Sequence, residues 1–552
     1  MKTRILACLC LLLLLPALAV GEAYLVDDAA ATAAPVAPAS LPDPAAYAGN
    51  AEMQAALALL EEGSYLAALN AFAGVGGVPE ATQYAEYAHA RLLLLRDDPA
   101  AAAEKLTELS GFLDSDAQLA LCRALRLHRC NQNAKFGYVD AQGTWLVPPQ
   151  FDWAERVLRA ESAVPGAADP LPVALVFGGQ TNITATDIEP LAGKYGLIRS
   201  DGMLVVPVRY DSILWARHGF AAASDAAGVT LYNLTTGETL GELYEAVGAY
   251  AEGFIPVQKG GLWGYLNPAS GQMLGDGLVW DSALPFSEGK AAVGKDKLYG
   301  YIDAAASTVI PLQYTDAAPF SEGLAGVRIK KKWGFIDQHG TVIIKPAYAQ
   351  VKTFQYGLCA VKRGDAWGLL NTAGEIVLRA KYSEITDFDP IQRRAWVRQN
   401  KLWGMASTSG TMVLAPTWSS HDFFQGNTLC RVGYRGRYGY IDANGKMRIL
   451  IEYSAAAPFT ADYGAVQEDD GTVRYLNKTQ RSFTVDTDVP VECRMGFIEA
   501  RRMRKSIWNT ADAEGNFVTT ETWNISFALY DKLGQPIAVQ PYADAQASGS
   551  GI

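Results

Sequence analysis

The chain is poor in the residues that catalysis and metal binding usually need. Only seven cysteines and five histidines occur in 552 residues. Cys8 and Cys10 lie in an N-terminal apolar stretch, which leaves Cys122, Cys130, Cys359, Cys430 and Cys493. So sparse and odd a set excludes a disulfide framework. Cys122 and Cys130 are neighbours in sequence, but on one helix they would sit too far apart to bond. Free buried thiols are expected instead. His89, His128, His218, His339 and His421 stand singly, none at metal-ligand spacing from another. There is no Cys-x-x-Cys, no Gly-x-Ser-x-Gly elbow and no phosphate loop. Gly74-Val75-Gly76-Gly77 follows a helical pattern and reads as a helix-end turn. No catalytic, cofactor-binding or metal-ligating residue is therefore assigned, and no cofactor is expected.

Positive charge is also short, since the net charge is −11. That balance argues against general nucleic-acid or anionic-membrane binding. Long apolar runs are confined to the start. Lys2 and Arg4, then Ile5 to Leu15, then Ala17-Leu18-Ala19 read as a secretory leader over residues 1–19. The run is too short for a good membrane span. A secreted or extracytoplasmic protein without a span after cleavage is expected. An uncleaved leader kept as an anchor is the alternative.

What is plentiful is glycine (52), tyrosine (26) and tryptophan (12). Together they suggest many short strands and tight turns. Residues 20–50 form an Ala/Pro-rich linker, as in Ala34-Pro35-Val36-Ala37-Pro38. Residues 51–130 change to an i, i+3, i+4 apolar pattern and predict four or five short helices. Ala68 and Ala102, and Phe72 and Leu106, recur 34 residues apart. The segment resembles tetratricopeptide helical hairpins, and a plain helical bundle fits it too.

From residue 133 the chain repeats differently. Lys332-Trp333-Gly334-Phe335-Ile336-Asp337 has copies at Trp263-Gly264, Tyr299-Gly300, Trp367-Gly368, Trp403-Gly404 and Tyr438-Gly439. The glycines from Gly264 to Gly439 are spaced 36, 34, 34, 36 and 35. Earlier copies carry Gly137 and Gly196, with an insertion between them at about Glu161 to Gly193. The pattern degenerates near Val229-Thr230 and Val473-Arg474. Each unit reads as a strand with alternating faces, an Asp-x-x-Gly turn, an apolar strand ending in proline and an aromatic, and a Pro-Phe-Ser-Glu-Gly turn leading to a further strand. Pro148, Pro207, Pro311, Pro346 and Pro416 mark the third part. Asp303, Asp337 and Asp442 begin turns, so backbone bonding is their expected use. The Trp-Gly pairs are read as structural. The alternative is an exposed aromatic ladder. Lys330-Lys331-Lys332 and Arg501-Arg502-Met503-Arg504-Lys505 are local basic runs, read as solvated strand edges or a docking patch for an acidic partner.

Motif and period resemble the WG-repeat (KWG-repeat) family of bacterial exported proteins over about residues 133–480, within a β-repeat domain read as residues 133–488. The resemblance implies a repetitive β architecture, a binding or surface role and no catalytic residues. Residues 489–544 read as divergent terminal repeats and 545–552 as a flexible tail. The expected fold is mainly β, with tandem units of about three strands each behind a small α-helical domain. The units either form a propeller-like array or an open β-solenoid. Three functions compete. They are a scaffold binding a protein, peptide or glycan, a self-associating structural envelope component, and a carboxylate-dependent hydrolase.

Overall fold

The computed structural model describes residues 41–539, apart from 42–43, 48, 62–64, 96–98, 125–127, 156–171, 184–187, 390, 425–427, 461–462, 495–496 and 512–516. The expected leader, most of the linker, part of the insertion and the tail lie outside the described residues.

Five helices come first: Ala51–Glu61, Tyr65–Phe72, Ala81–Leu95, Pro99–Glu108 and Ser115–Ala124. Their apolar stripes meet around Leu57, Leu60, Phe72, Tyr84 and Tyr87. Asn50 caps the first helix, its side-chain oxygen accepting the Met53 N–H at 2.8 Å. Leu94 and Leu121 join the core of the first sheet with Phe136 and Tyr138, so the helices rest on the β array.

Among the described residues eleven small antiparallel sheets follow in chain order: sheet 1 spans residues 128–151, sheet 2 153–210, sheet 3 212–244, sheet 4 246–273, sheet 5 282–314, sheet 6 316–348, sheet 7 350–382, sheet 8 384–418, sheet 9 420–453, sheet 10 455–484 and sheet 11 493–537. Sheet 6 shows the plan. Its strands are Asp316–Ser321, Leu324–Ile329, Lys332–Asp337 and Val342–Tyr348, paired in that order. The sheets after the first thus hold four strands, one more than the sequence suggests, because the Pro-Phe-Ser segment pairs as a strand of its own. Sheet 1 has three (His128–Gln132, Lys135–Val139, Trp145–Phe151). One residue, Ala349, separates the last strand of sheet 6 from the first of sheet 7 (Gln350–Gln355). The strand simply bends from one sheet into the next.

Neighbouring sheets bury aromatic pairs between them. The residue after the motif glycine meets the phenylalanine of the next sheet's first segment. Tyr265 lies 4.9 Å from Phe286, Tyr301 4.8 Å from Phe320, and Phe335 5.0 Å from Phe354. Each such ring contributes about 1.5–3 kcal/mol through burial. The Tyr301 hydroxyl donates to the Ala318 carbonyl at 2.8 Å, and burial pushes its phenol pKa up.

The array closes. In successive sheets the Asp-x-x-Gly turn sits on the last strand of the sheet before: Gly340 on Ile310, Gly374 on Ile344. Gly143 of sheet 1 sits in the same way on Ala538, just past the last strand of sheet 11. Beside it Arg129 grips Glu499 through two nitrogens, Nε reaching Oε2 at 3.0 Å and Nη2 bonding Oε1. Both are buried, and the Arg129 guanidinium also donates to the Ala154 carbonyl at 2.7 Å. His128 packs on Phe497 and Phe136 on Phe527. The molecule is therefore a propeller-like ring, and the open solenoid does not form.

The clasp makes a test. A buried guanidinium without its carboxylate is costly, so Glu499→Ala should lower stability by about 3–5 kcal/mol. Urea unfolding of the variant against the parent checks this. A loss near that of an exposed glutamate would mean the two ends carry no strain.

Candidate functional site

Each motif residue is occupied by the fold. Trp333 pairs with Tyr348 and Phe335 with Ile344, so Lys345, Pro346 and Ala347 stand opposite Gly334 alone. A Cβ on Gly334 would lie 2.5 Å from the Ile344 carbonyl oxygen. Only glycine admits so close a bulge, and Pro346 brings no N–H that the bulge would orphan. The same crowding holds at Gly137, Gly196, Gly300, Gly368, Gly404 and Gly439, while at Gly264 the crowding atoms belong to the Gly277 backbone and the Met273 side chain.

Trp263, Trp333, Trp367 and Trp403 are half-buried. Trp263 bridges to Trp280, and the other three pair with Tyr348, Tyr382 and Trp418. Lys362 lies 5.8 Å over Trp367, and Arg398 lies 5.2 Å over Trp403 while meeting Glu384 at 3.6 Å. On Trp367 and Trp403 one ring face is thus already taken by a cation.

The turn aspartates are engaged as well. Asp337 accepts the N–H of Thr341 at 2.8 Å and of His339 at 2.9 Å. These backbone bonds, Thr341's first, hold its carboxyl below the usual range. Asp303 and Asp442 make the same pair of bonds. His339 is an exposed turn residue. Among the described residues no three of His, Cys, Asp and Glu could hold one metal ion, and no helix is long and apolar enough to cross a membrane. The five described cysteines are buried thiols outside any disulfide.

The two ends of the ring differ in how much the fold uses their turns. The lower end carries the turns between first and second strands and between third and fourth strands. Here glutamates link sheet to sheet. Glu252 accepts Glu288 N at 2.7 Å and Gly289 N at 2.9 Å, Glu288 accepts Gly323 N at 2.9 Å, and Glu322 accepts Gly357 N at 2.8 Å. Ser287 and Ser321 donate across to the Phe320 and Phe354 carbonyls, each at 2.7 Å.

The upper end carries the turns between second and third strands, and over sheets 5 to 9 it is mainly basic. Lys295 and Lys297, then Lys330, Lys331 and Lys332, then Arg363, Lys401 and Arg435 succeed one another, all exposed. None of these holds an ion pair among the described residues. The second basic run reaches the same end. Phe497 pairs with Asp531 as Leu324 pairs with Asp337. Arg502 thus stands where the shorter second strands stop, and Met503 to Ala511 project beyond as one strand of an arm. In sheet 2 the long hairpin Val173–Ile183 with Ile188–Arg199 projects likewise, which accounts for the described end of the insertion. In the sequence these two runs lie in unrelated units; only the topology brings them to one end.

Fold and repeat together define a class: a propeller-like ring of small antiparallel sheets built from tandem units. The family model for the "WG containing repeat" matches residues 136–157, 243–263, 263–299, 299–333, 333–365, 367–403 and 438–471. Across this region the chain is a WG-repeat protein, and it belongs to that family. No protein with curated annotation matches it. Among solved structures it is similar to a eukaryotic initiation factor at 11% identity, with a TM-score of 0.35, covering 52% of this chain and 92% of that one. It is also similar to PorZ, a bacterial surface component of the type-IX secretion system of Porphyromonas gingivalis, at 11% identity and a TM-score of 0.24, over 74% and 58% of the two chains. The WD40 β-propeller domain of Doa1 matches at 11% identity and a TM-score of 0.19, over 53% and 86%. At these scores the likenesses carry no argument about this chain.

Two outcomes follow from the motif geometry. Gly334→Ala should cost about 1–3 kcal/mol by overpacking, whereas Lys332→Ala beside it should change stability by about 0.5 kcal/mol or less. Calorimetry on both variants separates a packing constraint from a general sensitivity of the strand. For Asp337 the folded pKa lies below the unfolded one, which is about 3.9. Its contribution is complete above that unfolded value and is lost as pH falls through the folded value. Melting temperature should therefore drop between pH 5 and pH 2, and less steeply in Asp337→Asn, whose amide oxygen still accepts the turn bonds. Identical acid slopes would show the carboxylate to be idle.

Proposed function

We propose that the protein is a non-catalytic scaffold acting outside the cytoplasm, binding a protein, peptide or glycan through the upper end of its ring. One observation carries this reading. The repeated motif is consumed by the fold, while the turns between second and third strands differ from unit to unit and face solvent. Repeat arrays commonly recognise ligands through such variable positions held on a regular frame. Export rests on the leader read at residues 1–19. The absence of nucleophile, metal and phosphate motifs supports binding over catalysis.

The test is a binding screen with the full chain against glycan and peptide panels, repeated with the upper turns replaced in blocks. Binding should fall when the turns of sheets 5 to 9 are replaced and persist when the lower turns of the same sheets are replaced. A chain that binds nothing in either panel, or whose ligand ignores the upper turns, would contradict the reading. Fractionation of expressing cells with external protease tests the location, and a cytoplasmic, protease-shielded chain would refute export.

A further inference from the structure

The upper end is not uniformly charged, and the way its charge is mixed narrows what can sit there. Leu262 and Leu298 open the third strands of sheets 4 and 5, and each is 39% exposed. They stand directly across from Lys259 and Lys295. Leu243, at the end of sheet 3, is 46% exposed against the Gly228 turn. An aliphatic stretch over sheets 3 to 5 thus runs into the cationic stretch of sheets 5 to 9. Acids are set among the cations: Asp296 follows Lys295 in the turn, and Asp281 accepts the Asp296 N–H at 2.8 Å.

We propose that this end docks an acidic, amphipathic polypeptide segment of a partner protein. The inference rests on the binding role proposed above and specifies its ligand. A nucleic acid or a polyanionic glycan has no aliphatic group to cover the leucines, and its evenly spaced charge cannot leave a neutral stretch over Asp281 and Asp296 as a polypeptide can. Of the aromatic rings at this end, Trp367 and Trp403 already carry Lys362 and Arg398, and Tyr434 carries Arg435. A polypeptide bearing glutamates beside leucine-like side chains satisfies both stretches at once, with long-range attraction from lysines that have no partner. A second copy is a weaker occupant. The glutamates at the lower end, Glu252, Glu288 and Glu322, already bind turn N–H groups.

The test uses the full chain and a dye-labelled synthetic peptide rich in Glu and Leu, read by fluorescence anisotropy. Comparison probes are the same peptide with Lys for Glu, the same peptide with Ser for Leu, and a heparin oligosaccharide. Lys330→Glu/Lys331→Glu/Lys332→Glu and Leu262→Ser/Leu298→Ser should each weaken the acidic peptide by about tenfold or more. Lys478→Glu at the lower end should leave its affinity unchanged. Circular dichroism and melting curves confirm that the variants fold. The lysine-bearing and serine-bearing peptides should bind poorly, and added salt should weaken the acidic one. Heparin binding that ignores the leucine pair would overturn the inference while leaving the scaffold reading intact. So would a mass by light scattering that doubles in the wild type and reverts in the lysine triple variant, which would name a second copy as occupant. Failure of every probe here and in the panels above would sink both.

Discussion

The regular part of the ring, sheets 1, 2 and 5 to 9, depends on the approach of each motif glycine to the bulged strand beside it. Three residues of the last strand stand opposite one residue of the third, as Lys345 to Ala347 do opposite Gly334. The bulge bends that strand and delivers it, one residue later, into the next sheet. Sheets that lack the glycine act as internal controls. In sheet 10 Arg474 takes the place, and the last strand, Ser482–Thr484, pairs without any shift of register. In sheet 3 Thr230 takes it, and a glycine appears on the bulged strand instead, Gly241 with φ +65°. The bulge and the missing Cβ occur together, which is why the glycine recurs while its aromatic neighbour varies between Trp, Tyr and Phe.

Much of this was legible in the sequence because it is local. The motif strand, the Asp-x-x-Gly turn and the proline before the aromatic each repeat at a fixed interval, and each has its own short-range cause. The first strand of each sheet was harder to see. Asp316 to Ser321 has proline and small residues rather than an alternating apolar pattern, and it pairs only because the preceding strand hands it over. Closure was invisible. Arg129 and Glu499 lie 370 residues apart and leave no periodic signal. The site was half legible. Both basic runs could be noted, but only strand order places Lys330 to Lys332 and Arg501 to Lys505 at the same end.

The ring also divides labour between its ends. At the lower end Glu252, Glu288 and Glu322 act on the backbone of the following sheet, so their charge serves the array. At the upper end Arg437 reaches Asp469 of the next sheet, but the turn cations of sheets 5 to 8 hold no ion pair of that kind among the described residues. Arg398 and Lys362 cover motif rings, yet Lys330, Lys331, Lys332 and Lys401 face solvent. An acidic protein that keeps unpaired cations on one face carries a field that differs from its net charge. The upper turns can then change one by one without disturbing the glycine contacts that hold the ring.

The central claim is that sheet 11 is followed by sheet 1 just as any sheet is followed by the next. Spin labels at Gln142 and Leu533 occupy the same turn position in those two sheets, and labels at His339 and Ala373 do so in sheets 6 and 7. Pulsed electron-spin distance measurement on the two pairs compares them directly. A closed ring predicts one narrow distribution of similar length for both pairs. A long or broad distribution for Gln142 and Leu533 alone would mean that the array is open, and the account of the fold would fail.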